Sequence, residues 1–132
     1  MKDIFKKGDQ KIYHHLINET DIAAFHGETV HPVYATFALA RDMEWSGRLF
    51  VLEMLEDDEQ GIGTFIEIDH KSPAFVSEEA QIEATIEAIN AHEIICQVKV
   101  TVGLRLIATG RTGQKILKKE KLEQIFNKIK NG

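Results

Sequence analysis

Two stretches in the second half of the chain alternate apolar and polar residues with a period of two, and this pattern limits the folds available. From Gln81 to Asn90, Ile82, Ala84, Ile86 and Ala88 alternate with Gln81, Glu83, Thr85 and Glu87. From Ile94 to Val102, Ile94, Cys96, Val98, Val100 and Val102 fall on one side. Successive strand side chains point to opposite faces, so each stretch reads as a half-solvated antiparallel strand, and together they form a hairpin turning at Asn90 to His92. The apolar face of such a sheet needs a cover. Only one long segment before the C-terminal tail has a helical pattern: Tyr34 to Leu55, with Phe37, Ala40, Glu44, Gly47, Val51 and Leu55 at three- and four-residue steps. One helix on one antiparallel sheet is a two-layer α+β domain.

The remaining segments fit that frame. Lys11 to Asn18 reads as a first strand, followed by a polar, turn-rich flap to Pro32. The acidic run Glu56, Asp57, Asp58, Glu59 and then Gly61 end the helix in a solvated turn. Ile62, Thr64, Ile66, Ile68 and His70 lie on one side of a strand that stops near Pro73. Leu104 to Leu117 is a last strand, in which Gly110 and Gly113 permit bulges. Lys118 to Lys130 closes the chain as an amphipathic helix with Leu122, Ile125, Phe126 and Ile129. An open sheet leaves unpaired edges, and pairing them across a two-fold axis is a common remedy, so a homodimer is expected, with further pairing of dimers left open.

Length and charge narrow the function classes. A chain of 132 residues builds one core, so residues 1–132 are read as a single domain with little room for a pocket of its own. No run approaches a membrane span and the start lacks the apolar segment of a signal peptide, which implies a cytoplasmic protein with no membrane partner. The lone Cys96 cannot form an internal disulfide and reads as a small core residue. Residues 1–114 hold 10 Lys and Arg against 19 Asp and Glu, net −9, whereas residues 115–132 hold 6 against 2, net +4. An acidic body argues against nucleic acid. The basic tail suits either a solvated helix face or phosphates on a small ligand. His14 and His15 are adjacent and would point to opposite strand faces, a poor metal pair, so no metal is expected.

Three residues stand out as candidate chemistry. Glu44 falls on the expected apolar stripe of the helix, between Met43 and Trp45, where burial would raise its pKa and make it a better base or nucleophile; a structural buried acid is the alternative. His70 ends its strand on the apolar face, where side chains reach clefts, although a lone His there also suits a core. Thr36 at the helix start reads as a cap, or as a hydroxyl beside helix-terminal N–H groups able to hold an oxyanion.

Taken together, Tyr34-Ala-Thr36, Met43-Glu44-Trp45, Gly63-Thr64 and His70-Lys-Ser-Pro73 resemble the hot-dog-fold thioesterases related to fluoroacetyl-CoA thioesterase. That family carries a threonine, a glutamate eight residues on, a glycine-threonine pair and a histidine seven residues past the glycine. Thr36, Glu44, Gly63 and His70 keep those spacings. The resemblance spans about residues 10 to 130. It implies a hot-dog fold, acyl-CoA hydrolysis with Thr36, Glu44 and His70 as the catalytic set, and coenzyme A met as part of the substrate, with no separate cofactor. Gly63, Val30, Tyr34, Phe75, Arg111 and Gln114 are the corresponding substrate-binding candidates.

The chain also departs from the family. The turn after His70 keeps only the first proline and continues Ala74, Phe75, Val76, Ser77; Gln114 stands where the family often has arginine, with Arg111 and Lys115 nearby; Val30 falls where an aromatic lid residue is expected. These differences point away from fluoroacetyl-CoA and toward another short or medium acyl thioester. Eight residues of helix rise by about 12 Å, which favours a site where Thr36 of one subunit faces Glu44 of its partner. A non-catalytic acyl-CoA-binding or regulatory module is the second reading. A hydratase or dehydratase is a third, weakened because Asp69 and His70 point to opposite faces.

Overall fold

The computed structural model describes residues 1–132. The strands are β1 (Gln10–Leu16), β2 (Ile22–Phe25), β3 (Glu28–Tyr34), β4 (Glu59–His70), β5 (Glu79–Asn90), β6 (Glu93–Val102) and β7 (Arg105–Lys118). The helices are α1 (Thr36–Met54) and α2 (Lys119–Asn131). Five strands form one antiparallel sheet in the order β1-β5-β6-β7-β4, and β2-β3 is a separate hairpin. Helix α1 packs across one face of the sheet, the arrangement expected of a hot-dog fold. No helix is long and apolar enough to cross a membrane.

The β5-β6 hairpin turns where the alternation breaks, with Ala91 in the left-handed region at φ 55°. Ile82, Ala84, Ile86, Ile94, Cys96, Val98 and Val100 are buried beneath α1. Several expectations need correction. The segment read as a flap is a β-hairpin, with β2 paired antiparallel to β3 and the left-handed His26 and Gly27 at its turn. The buried residues of α1 are Ala38, Leu39, Asp42, Met43, Ser46, Gly47, Phe50, Val51 and Met54; Gly47 and Val51 of the expected stripe are among them, but Glu44 and Phe37 are exposed in the single chain and Asp42 is the buried acid. In the acidic run, Glu59 is buried against the N-terminal amine of Met1 at 2.7 Å. Gly110 and Gly113 carry no bulge; a Cβ on them would strike the Glu67 carbonyl and the Phe65 ring, so they admit close approach of β4 instead.

The bulge of the β4-β7 ladder lies in β4. Gly63 pairs with Gln114 and Phe65 with Gly113, which leaves Thr64 as the extra residue. One inserted residue reverses the alternation. Gly61 and Gly63 therefore face α1 together with Ile66, Ile68 and His70, while Ile62, Thr64 and Phe65 lie on the outer face, contrary to the uninterrupted stripe read from the sequence.

A buried charge cluster fixes the start of α1. Asp21 and Asp42 are 1% and 4% exposed. The Arg41 guanidinium bonds Asp42 Oδ1 at 2.9 Å and Asp21 Oδ1 at 2.8 Å. The Tyr34 hydroxyl donates to Asp42, and His15 Nε2 lies 2.7 Å from Asp21 Oδ2. Burial and the Asp42 carboxylate push the Tyr34 phenol up. These residues join β1, the 3-10 turn Glu19–Asp21, the end of β3 and α1, so the cluster holds both ends of the β2-β3 hairpin.

Burial works to raise the Asp21 pKa, but Arg41, the Asn18 N–H and His15 outweigh it and hold the carboxyl below its ordinary value of 3.8. A depressed folded-state pKa contributes stability that is present above pH 3.8 and lost as pH falls through the folded value. Asp21→Asn is expected to flatten that acid limb in urea titrations from pH 6 down to about pH 2. Asp42→Ala, which strands the Tyr34 hydroxyl and frees half-exposed Arg41, should cost about 2–4 kcal/mol in the same measurement at pH 7.

Candidate active site

The first half of the site is built where α1 begins. Ala35 is the N-cap and provides no side-chain cap, so the Thr36 hydroxyl, in the first turn, is not used for capping. Its Oγ1 lies 3.0 Å from His70 Nδ1 at the end of β4. If the hydroxyl donates to Nδ1, the ring carries its proton on Nε2; if Nδ1–H donates, Nε2 is an acceptor. Nε2 is buried without a partner. The first-turn N–H groups of α1 beside Thr36 form a donor cluster suited to a developing negative charge.

The second half lies two turns along α1. Glu44 is exposed on the flank of the helix that faces β4. A Cβ placed on Gly63 would come within 2.5 Å of Glu44 Oε1, so the carboxylate occupies the space a side chain would fill. Arg48, one turn further, donates from Nη1 to the Gly61 carbonyl at 3.2 Å. That residue was not singled out in the sequence, although its i+4 spacing from Glu44 was a usable signal.

Glu44 and the Thr36–His70 pair are not brought together within one chain. Gly63 and His70 are separated by about 20 Å of strand, and Thr36 and Glu44 by about 12 Å of helix. The single chain therefore holds a hydroxyl–imidazole pair at one end of β4 and a carboxylate near the other. β4 is also an outermost strand of the sheet, with one side unpaired.

The other candidates divide. Tyr34 is fully buried and committed to Asp42, which removes it from a substrate-contacting role. Gln114 is 2% exposed and donates from Nε2 to the Glu44 carbonyl at 3.2 Å, so it braces the turn that bears Glu44. Arg111 is on the outer sheet face, bonded to Glu87 at 2.8 Å and near Glu67 at 3.4 Å, away from all three candidate catalytic residues. Phe75 and Val30 are exposed, and Phe75 bridges to Val33 near His70.

The sequence profile of a family described as FlK, fluoroacetyl-CoA-specific thioesterase, matches residues 17–120. None of the curated proteins compared with the sequence matches it. Among solved structures, the Thermus thermophilus hypothetical protein TTHA0967, a thioesterase superfamily member, is 30% identical with a TM-score of 0.90 over 98% of this chain and 96% of that one. The fluoroacetyl-CoA thioesterase FlK is 17% identical with a TM-score of 0.86 over 96% and 98%. A hot-dog-like protein from Thermanaerovibrio acidaminovorans is 15% identical with a TM-score of 0.85 over 92% and 90%.

Two glycine substitutions separate room for the carboxylate from room for the backbone. In Gly63→Ala the new Cβ meets only the mobile end of Glu44, so stability should change by less than about 1 kcal/mol while the carboxylate is displaced. In Gly110→Ala the Cβ lies 2.1 Å from the Glu67 carbonyl oxygen, and parting β4 from β7 should cost at least about 2 kcal/mol. Chemical denaturation of the two variants checks the contrast.

Proposed function

The chain belongs to the fluoroacetyl-CoA-specific thioesterase family and is a thioester hydrolase; from that premise we propose that it hydrolyses a short or medium acyl-CoA in a cleft shared by two copies of the chain. The observation that carries this reading is the division of the candidate catalytic groups between the two ends of an unpaired strand. If β4 pairs with its own copy across a two-fold at Glu67, residue 66 opposes 68, residue 65 opposes 69 and, past the Thr64 bulge, Gly63 opposes His70. Residues directly opposed in an antiparallel pair point to the same face. Glu44 of one subunit then meets Thr36 and His70 of the other on the helix side of the joined sheet. Without the bulge, Gly63 would oppose Lys71 on the outer face, and no bare backbone would lie under Glu44 opposite the partner's His70.

In that cleft the chemistry follows from the groups present. The thioester carbonyl lies against the α1 start, where N–H groups and the Thr36 hydroxyl take up the oxyanion charge. Glu44 either removes a proton from the attacking water or attacks the carbonyl carbon to give an anhydride that water then opens. In both routes the C–S bond breaks and the thiolate takes a proton, with the Thr36–His70 pair as the shuttle. Single-residue mutants of FlK have been crystallised with fluoroacetate and CoA and with acetyl-CoA. For this chain, exposed Phe25, Phe37 and Phe75 near Thr36 and His70 favour an apolar acyl group over a fluorinated two-carbon one.

Free-thiol release from a panel of acyl-CoAs tests the reaction. The kcat/KM value is expected to rise about fourfold per methylene from acetyl until the cleft is filled, since a buried methylene is worth about 0.8 kcal/mol. Glu44→Gln should lower kcat by at least about 10²-fold. Mixing Glu44→Gln with His70→Ala chains after refolding should restore about a quarter of wild-type activity, because half the dimers are mixed and each holds one intact site. No restoration would overturn the shared cleft. CoA ester binding without thiol release would leave a binding module.

A further inference from the structure

Of the four arginines in the chain, three are ion-paired: Arg41 with Asp21 and Asp42, Arg105 with Glu78, and Arg111 with Glu87. Arg48 has no carboxylate partner. Its one hydrogen bond runs from Nη1 to the Gly61 carbonyl at 3.2 Å. Glu44 stands four residues earlier on the same helix, the spacing at which an acid and a base ordinarily pair, and the two do not. A half-buried guanidinium beside a candidate catalytic acid therefore keeps most of its N–H groups for an acceptor outside the chain.

Two glycines set where that acceptor lies. The Glu44 carboxylate sits over Gly63, and the Arg48 guanidinium over Gly61, where a Cβ would stand 3.5 Å from Nη1. Both glycines face α1, and two residues of strand place them about 7 Å apart. One helical turn separates Glu44 from Arg48 by about 6 Å, so carboxylate and guanidinium are set side by side along the sheet edge. The surroundings differ at the two ends. Phe25, Phe37 and Phe75 lie near Thr36 and His70, the end suited to an apolar acyl group. On the solvent side of α1 a groove of about 530 Å³ is lined by Tyr13, Arg41, Asp42, Glu44, Trp45 and Arg48, and Glu44 is the only catalytic candidate in it. Polar groups and two aromatic rings suit a thiol arm in which amides alternate with short apolar links. In every CoA thioester the first amide carbonyl is about 5 Å from the sulfur, whereas the diphosphate is about 15 Å away. With the thioester carbon about 3.5 Å from the Glu44 carboxylate, the amide and not the diphosphate falls at the distance of Arg48.

We propose that Arg48 selects the thiol half of the substrate: it donates a hydrogen bond to the first amide carbonyl of the pantetheine arm and so sets the sulfur beside Glu44. This rests on acyl-CoA as the substrate class and on no particular pairing of subunits. The Gly61 carbonyl holds the guanidinium off Glu44, which leaves that carboxylate unpaired for the reaction and the remaining N–H groups available to the arm.

Three thioesters of one acyl group test the proposal: the CoA ester, the N-acetylcysteamine ester, which has the amide and no phosphate, and the S-ethyl ester, which has neither. A hydrogen bond from a charged donor is worth about tenfold or more in kcat/KM. In Arg48→Met the kcat/KM ratio of N-acetylcysteamine ester to S-ethyl ester should fall at least about tenfold, and the ratio of CoA ester to S-ethyl ester by as much. Arg48→Lys, which keeps a charged donor, should recover part of both ratios. A loss on the CoA ester alone assigns Arg48 to the phosphates. Equal losses on all three assign it to the support of Glu44 and β4, and a loss greater for succinyl than for butyryl esters of the same thiol assigns it to the acyl end. Each of these overturns the proposal, as do unchanged ratios in both variants. If the wild-type chain releases thiol from none of the three, the acyl-CoA reading falls and the proposal with it.

Discussion

The inserted residue in β4 is the constraint on which the candidate site depends. A strand alternates strictly, so the face shown by any residue is fixed by counting from its neighbours. Gly63 and His70 are seven residues apart and would face opposite sides of a regular strand. Thr64 breaks the count, and both turn toward α1. That parity gives Glu44 a bare backbone to lie over and lets His70 reach the Thr36 hydroxyl. The hydrogen bond from Thr64 Oγ1 to Glu93 Oε2 at 3.0 Å holds the extra residue on the outer face.

Helix placement depends on a second constraint, the depth at which α1 lies. A Cβ at Gly47 would fall 2.7 Å from Thr112 Oγ1, so the helix rests closer to β7 there than any other residue would allow. Gln114 then bonds the Glu44 carbonyl from below. At the other end of the helix the Asp21–Arg41–Asp42 cluster sets where Thr36 begins. Two anchors of different chemistry, one a close contact and one a buried charge cluster, fix the stretch of α1 that carries Thr36 and Glu44. Exposed residues of that stretch, such as Phe37 and Trp45, face away from the sheet.

Much of this was legible in the sequence, and the failures have physical reasons. The β5-β6 hairpin and α1 were readable because periodicity is a local property. The spacings of Thr36, Glu44, Gly63 and His70 were readable as a family resemblance, not from periodicity. The phase of α1 was not: steps of three and four fit two adjacent faces of a helix equally well, and only the sheet decides that Met43 is inside and Glu44 at the rim. Asp42 in the core was hidden for the same reason, since its partners Asp21 and Tyr34 come from elsewhere in the chain. The Thr64 bulge has no composition signature apart from the glycines on its N-terminal side. The β2-β3 hairpin was masked by the turn-formers at its tip.

Gln114 shows how a departure from a family pattern can be misplaced when only position is known. An arginine in that position suggests a charge offered to substrate. The amide found here is buried, points its donor at a main-chain carbonyl and has its Oε1 without a partner. Its effect on the carboxylate is therefore exerted through the backbone of the turn, and no charge is added beside Glu44. A guanidinium in that buried space would have to be desolvated next to Glu44, and the resulting ion pair would bind the carboxylate in its charged form. A neutral amide there forms no such ion pair with Glu44.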